Sequence, residues 1–150
     1  MHTSLVALLV LVLVVFIVWK NVDRRTPAQK QADFDRLQTL AQEGQEDAQY
    51  KLLMLYYDEK DPQFHPLAFK WALAVAQKGE DPGVMLQVGE MYENGEGTSK
   101  NLQDALTWYE RALSADTALG AKSPLSKDGH LYLEQRVFSL RQELNPSEEK

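Results

Sequence analysis

The sequence predicts an all-α repeat domain, and three observations predict it. After residue 27, apolar residues recur at three-to-four spacing through six successive segments, the spacing that gathers them on one side of a helix. No segment alternates apolar and polar residues between turn signals, so no sheet is expected. The chain also matches itself at an offset of about 36 residues, and a unit of that length holding two helices is the mark of a helical solenoid.

The first twenty residues stand apart from this domain. From Leu5 to Trp19 every residue is apolar, and with Thr3 and Ser4 the run reaches 17 residues, the lower edge of the roughly 17–25 that cross a bilayer. A helix apolar on every side has no use on a soluble domain of this size, so the run is expected to sit in lipid as an uncleaved anchor. Removal as a signal peptide is the alternative. Against it, no Lys or Arg precedes the apolar core, and the core ends in Phe16, Ile17, Val18 and Trp19 rather than in small residues. There is no cysteine for lipoprotein processing. Lys20, Arg24, Arg25 and Lys30 follow the run and meet one acid, Asp23; basic flanks tend to stay cytoplasmic. The expectation is a single-pass protein of a bacterial inner membrane, with residues 1–20 as transmembrane helix, 21–27 as juxtamembrane linker and 28–145 as a cytoplasmic domain. A periplasmic domain is the alternative.

Within the domain, each helix is justified by its punctuation. Thr26 suits an N-cap and Pro27 a first turn for the segment 28–43, which carries Ala32, Phe34, Leu37, Leu40 and Ala41 and stops at Gly44. The segment 46–58 ends before Asp61 and Pro62. The segment 66–78 sets Leu67, Ala68, Trp71, Ala72, Val75 and Ala76 on one broad face and ends at Gly79. Pro82 opens a fourth helix with Val84, Met85, Val88, Met91 and Tyr92, closed at Asn94–Gly95. A fifth runs from about Asn101 to Ala115. A loop at 120–127 leads to the last helix, 128–144, which carries Leu131, Leu133, Val137, Leu140 and Leu144 and stops before Pro146.

Between the fourth and fifth helices stand Gly95 and Gly97. A phosphate-cradling loop would need a preceding strand and a Lys followed by Ser or Thr. Here Lys100 comes after Ser99, and the preceding segment is helical. The glycines instead suit a helix stop and a tight reversal into an antiparallel neighbour. Residues 48–56 align with 84–92 at an offset of 36, residues 66–76 with 103–113 at 37, and AQEG (41–44) with AQKG (76–79) at 35.

These residues resemble the Sel1-like repeat family, relatives of the tetratricopeptide repeats. The family unit runs A-x-x-x-L-G-x-x-Y-x-x-G-x-G and then A-x-x-W-Y-x-x-A-A. The second unit carries it in Val88–Gly89, Tyr92, Gly95, Gly97, Ala105, Trp108–Tyr109 and Ala112; the first carries it in Ala48, Leu52, Tyr56, Ala68 and Trp71. The first departs at Leu53, where the family has glycine, and in the glycine-free loop DEKDPQFHP (58–66). The resemblance implies a short right-handed α/α solenoid, with repeats at about 46–79 and 82–115 and with cap helices at 28–43 and 128–144, each with a polar outer face.

Composition narrows the partner. Residues 1–30 carry a balance of +3 and residues 31–150 one of −9, within a chain of net charge −6. An acidic domain lacks the basic patches that nucleic acid requires. His2, His65 and His130 lie far apart in sequence and no cysteine exists, so a transition-metal site has little to build on. The acidic runs at 43–47 and 58–61 fall at helix boundaries, where carboxylates cap. No catalytic residue, cofactor, metal or small-molecule substrate is expected.

One helix has more apolar surface than a single face can bury: Tyr50, Leu52, Leu53, Met54, Leu55, Tyr56 and Tyr57. Either it is sandwiched between neighbours, or part of it meets a partner. In relatives of this family the first helix of each unit lines a concave groove. That pattern would place Tyr50, Met54, Tyr57 and Asp58 from the first unit there, with Leu86, Glu90, Glu93 and Asn94 from the second. The partner would be a basic, partly apolar protein or peptide. The functional expectation is a membrane-anchored, non-catalytic adaptor or scaffold. The alternatives are an exported regulatory protein and a non-catalytic subunit of a membrane enzyme complex.

Overall fold

The computed structural model describes residues 26–58, 61–79 and 81–145. Six α-helices make up most of this: α1 Pro27–Gln42, α2 Glu46–Tyr57, α3 His65–Ala76, α4 Pro82–Asn94, α5 Leu102–Leu119 and α6 Lys127–Leu144. Short 3-10 turns occupy Pro62–Phe64 and Gly120–Lys122. Among the described residues there is no strand, and the all-α class holds.

The chain divides into two compact units, residues 1–35 and 36–150. In the first, residues 26–35 are described. Thr26 and Gln29 form a reciprocal cap: the Gln29 N–H donates to Thr26 Oγ1 at 3.2 Å, and the Thr26 N–H to Gln29 Oε1 at 2.8 Å. Pro27 sits in the first turn, as the sequence predicts.

The expected localisation requires correction. No helix among the described residues is long and apolar enough to cross a membrane. The span assigned to residues 1–20 lies outside the described residues, as does the linker up to residue 25. The placement of the chain in a membrane therefore has no structural support.

In the second unit, helices adjacent in sequence pack on one another: α2 on α3, α3 on α4, α4 on α5 and α5 on α6. Short connections between successive helices favour this neighbour-on-neighbour arrangement. The core is built from Leu52, Leu53 and Tyr56 of α2, Trp71, Ala72 and Val75 of α3, and Val84, Met85, Val88 and Met91 of α4. To these α5 adds Ala105, Trp108, Tyr109 and Ala112, and α6 adds Leu133, Val137 and Leu140. The helix starts are capped as their sequences dictate. Asp81 Oδ1 accepts from the N–H groups of Gly83 (2.8 Å) and Val84 (3.3 Å), and Ser126 Oγ accepts from that of Gly129 (3.1 Å).

The AQEG and AQKG segments close α1 and α3 through Gly44 (φ 89°) and Gly79 (φ 85°). Each end is then tied by a basic side chain 34 or 35 residues further on. Lys78 Nζ donates to the Gly44 carbonyl at 3.0 Å, and Arg111 Nη2 to the Ala76 carbonyl at 3.5 Å. Cations at helix C-termini satisfy carbonyls that the helix leaves unpaired. Arg111 also lies over the Trp108 ring, 4.1 Å from its centroid.

Two glycines serve close approach. A Cβ on Gly89 would stand 2.6 Å from the ring of Tyr109, so α4 meets α5 at a distance only glycine permits. Gly97 (φ 71°) runs against the backbone where α3 begins: a Cβ there would lie 2.1 Å from the carbonyl oxygen of His65. The Gly95–Gly97 loop is thus a helix stop and a packing contact. Gly95 takes the left-handed conformation at φ 74°, and the Glu96 N–H closes on the Met91 carbonyl at 2.9 Å.

Two boundaries differ from expectation. The fifth helix continues to Leu119 rather than Ala115, because nothing in Asp116–Leu119 breaks a helix and the first residue able to do so is Gly120. The glycine-free loop before α3 makes a 3-10 turn capped by Asp61, whose Oδ1 accepts from the Gln63 N–H at 3.1 Å. The last helix does not present the polar outer face expected of a cap: Leu131 is half exposed and Phe138 is 66 % exposed.

Candidate functional site

Helix α2 resolves the ambiguity of its sequence. It buries Ala48, Gln49, Leu52, Leu53 and Tyr56, and leaves Tyr50 41 % and Tyr57 50 % exposed, with Leu55 also out. Its surplus apolar side chains are therefore not sandwiched. Met54 is half-buried and Asp58 exposed. On α4, Leu86, Glu90 and Glu93 are half-buried and Asn94 is exposed.

Of these residues, Tyr57, Glu90 and Glu93 border a face with contributions from α2, α4 and α6. Tyr57, at the end of α2, lies beside Gln87 of α4 and within electrostatic reach of Glu90 and Glu96. Glu90 in turn lies beside Tyr132 of α6. One turn on, Glu93 accepts from the Tyr109 hydroxyl at 2.7 Å and from Arg136 Nη2 of α6. Tyr132 lies beside Tyr109 and within electrostatic reach of Glu90, Glu93 and Arg136.

Burial shapes the electrostatics. Desolvation raises the Glu90 carboxyl above its usual range; the neighbouring Tyr132 hydroxyl opposes this, and the charges of Glu93 and Glu96 add to it. Desolvation also raises Tyr57 and Tyr132, with Glu90 the next cause for both. Glu93 differs in kind from Glu90, because Arg136 neutralises it and Tyr109 holds it. Of the eight residues that the resemblance implied, Glu93 is thus already engaged within the fold, whereas Tyr57 on α2 lies within electrostatic reach of Glu90 on α4. Gln87, Tyr132 and Arg136 also border this face and are not among the eight. The alternation by which α6 follows α5 as α4 follows α3 is the sequence signal for the last two.

A second polar group lies at the other end of α5. Asp116, buried at 5 % exposure, accepts from Ser123 Oγ through Oδ1 and pairs with His130 Nδ1 through Oδ2. His130 Nε2 lies 3.5 Å from Glu134. Serine, aspartate and histidine are present, but the serine hydroxyl goes to the carboxylate, not to the imidazole that would have to take its proton. The trio ties the 120–126 loop and α6 to α5.

Its pH dependence has a defined sign. The Ser123 hydrogen bond, opposed by burial and helped by His130, holds Asp116 below its ordinary 3.8. The Asp116 hydrogen bond, opposed by burial and helped by the charges of Asp116 and Glu134, holds His130 above its ordinary 6.5. Asp116 therefore contributes stability above pH 3.8 that is lost as pH falls through its lowered folded value. His130 contributes stability below pH 6.5 that is lost as pH rises through its raised folded value. The melting temperatures of the wild type and His130→Ala should differ most between those limits and converge above them. A difference independent of pH would refute the assignment.

Two hollows of about 540 and 440 Å3 lie away from both groups, between α5 and α6, and Glu110 and Arg141 line both. Arg141 Nη2 bridges to Glu110 Oε1 there at 2.7 Å. Among the described residues no cluster of histidines and carboxylates could hold a metal ion.

No family model matches the chain. Over 64 residues it is 36 % identical to the chitin synthase regulator SKT5 of Saccharomyces cerevisiae (strain ATCC 204508 / S288c). The match takes in 43 % of this chain and 9 % of that protein, so the chain spans less than a tenth of the relative's length.

Proposed function

We propose that this chain is a non-catalytic binding protein, an adaptor or scaffold whose partner docks on the face formed by α2, α4 and α6. The architecture in this reading is a short right-handed α/α solenoid of Sel1-like hairpins, α2–α3 and α4–α5, with α6 as the first helix of a further turn. One observation carries it: Tyr57, Glu90 and Tyr132, from three helices that alternate in the chain, share one partly exposed surface. The ties Lys78–Gly44 and Arg111–Ala76, spaced 34 and 35 residues, support the repeat. So does the glycine that lets α4 approach α5. Exposed aromatics at the centre of a face are the residue type that anchors protein interfaces. The relative's name favours a regulatory role for such binding, exerted on an enzyme that this chain need not resemble.

The test is a double variant, Tyr50→Ala with Tyr57→Ala, used as bait beside the wild type. Both side chains are substantially exposed, so their loss should cost about 1 kcal/mol or less. A partner retained by the wild type should be missing from the variant while the melting temperature stays within a few degrees. Equal capture by both proteins would overturn the reading.

A further inference from the structure

We infer that the α2–α4–α6 face takes its partner through one basic side chain, an arginine or lysine of a protein, seated on Glu90 between Tyr57 and Tyr132. This rests on the binding role proposed above and specifies its chemistry.

The two glutamates of this face are not equivalent. Glu93 has its cation in Arg136 and its hydroxyl donor in Tyr109. Glu90, one helical turn earlier on the same side of α4, has Tyr132 beside it, but no basic side chain among the described residues pairs with it. It is partly removed from water and repelled by Glu93 and Glu96. A carboxylate in that position gains more from an incoming cation than a solvated one does, because its desolvation has already occurred on folding.

The surroundings fit a cation on a stem. Tyr57 and Tyr132 are 50 % and 38 % exposed, and both lie within electrostatic reach of Glu90. Aromatic rings beside a carboxylate accept the face of a guanidinium or the methylenes of a lysine as well as its charge. Half-buried Met54 on α2 and Leu86 on α4 offer apolar contact to flanking residues. A partner acid on this surface would meet the unpaired charge of Glu90, with Glu96 nearby, and be repelled.

The test selects peptides from a random library displayed on phage against the full chain, discarding clones that also bind the Tyr50→Ala/Tyr57→Ala protein. The remaining sequences should share an Arg or Lys at one position flanked by apolar residues. A synthetic peptide of that consensus should bind Glu90→Gln at least about tenfold more weakly, and the loss should shrink as salt rises. Glu90→Gln should melt no lower than the wild type, since it removes a poorly solvated charge. Glu90→Lys should turn the selection toward acidic peptides. Selected peptides that depend on the two tyrosines but lack a shared basic residue, or that bind Glu90→Gln as well as wild type, would overturn this inference and leave the binding role standing. Failure to select any tyrosine-dependent peptide would overturn the binding role, and this inference with it.

Discussion

Replacing Trp108 by alanine is expected to cost about 3–5 kcal/mol, the range for truncating a buried aromatic side chain. Trp108 is 7 % exposed on α5, within the core. The loss reaches beyond the cavity, because Arg111 lies over the same ring and carries its guanidinium to the Ala76 carbonyl at the end of α3. Without the indole, that link between α5 and α3 has no platform. Small domains are stable by only about 5–15 kcal/mol, so the substitution consumes a large fraction of the total. The melting temperature should fall by roughly 10–25 °C. Thermal unfolding followed by far-ultraviolet circular dichroism reads this directly, and a fall of only a few degrees would mean that Trp108 is not part of the core. Trp71, which aligns with it in the first unit and is 6 % exposed on α3, should behave alike.

Those two tryptophans show what kind of information the sequence carried. Their alignment at an offset of 37 residues already marked them as core, and helix stops at Gly44, Gly79 and Gly95 were legible because a left-handed residue is a local requirement. Helix starts at Pro27 and Pro82 were legible for the same reason, since capping involves neighbours within one turn. What the sequence did not disclose is pairing between distant side chains. Asp116, Ser123 and His130 lie 7 and 14 residues apart across a loop, and no spacing rule announces that they meet. The proposed binding face was half legible. Tyr57 and Glu90 followed from the resemblance of α2 and α4 to repeat units. Tyr132 and Arg136 did not, because α6 lacks the glycines and the Ala-x-x-Trp pair that define a unit, and only packing against α5 places it beside α4. Nor did the sequence separate Glu90 from Glu93. Three residues apart on one helix they look alike, and the difference between them is Arg136, 43 residues away from Glu93.

A methyl group on Gly97 is expected to be far more damaging than the same methyl on the other loop glycines, and the comparison separates strain from collision. Gly44 and Gly79 have φ of 89° and 85° with open space where a Cβ would stand; alanine there carries only the left-handed penalty of about 1–2 kcal/mol. Gly95, at φ 74°, adds a tight contact of 3.3 Å with the Lys100 nitrogen. Gly97 has the same backbone strain, but its Cβ would lie 2.1 Å from the His65 oxygen, 2.5 Å from its carbon and 2.9 Å from the Pro66 nitrogen. These are backbone atoms at the first turn of α3, and they cannot rotate aside as a side chain would. The loop between α4 and α5 must lift off α3, adding an overpacking cost of about 1–3 kcal/mol to the strain. Gly97→Ala should therefore lose about 3 kcal/mol or more in chemical denaturation, against about 1–2 kcal/mol for Gly79→Ala. Equal losses would show that the loop does not bear on α3. The predicted order would show that the second hairpin is locked to the first through backbone as well as side chains, which is what a face shared by α2 and α4 needs to keep its geometry.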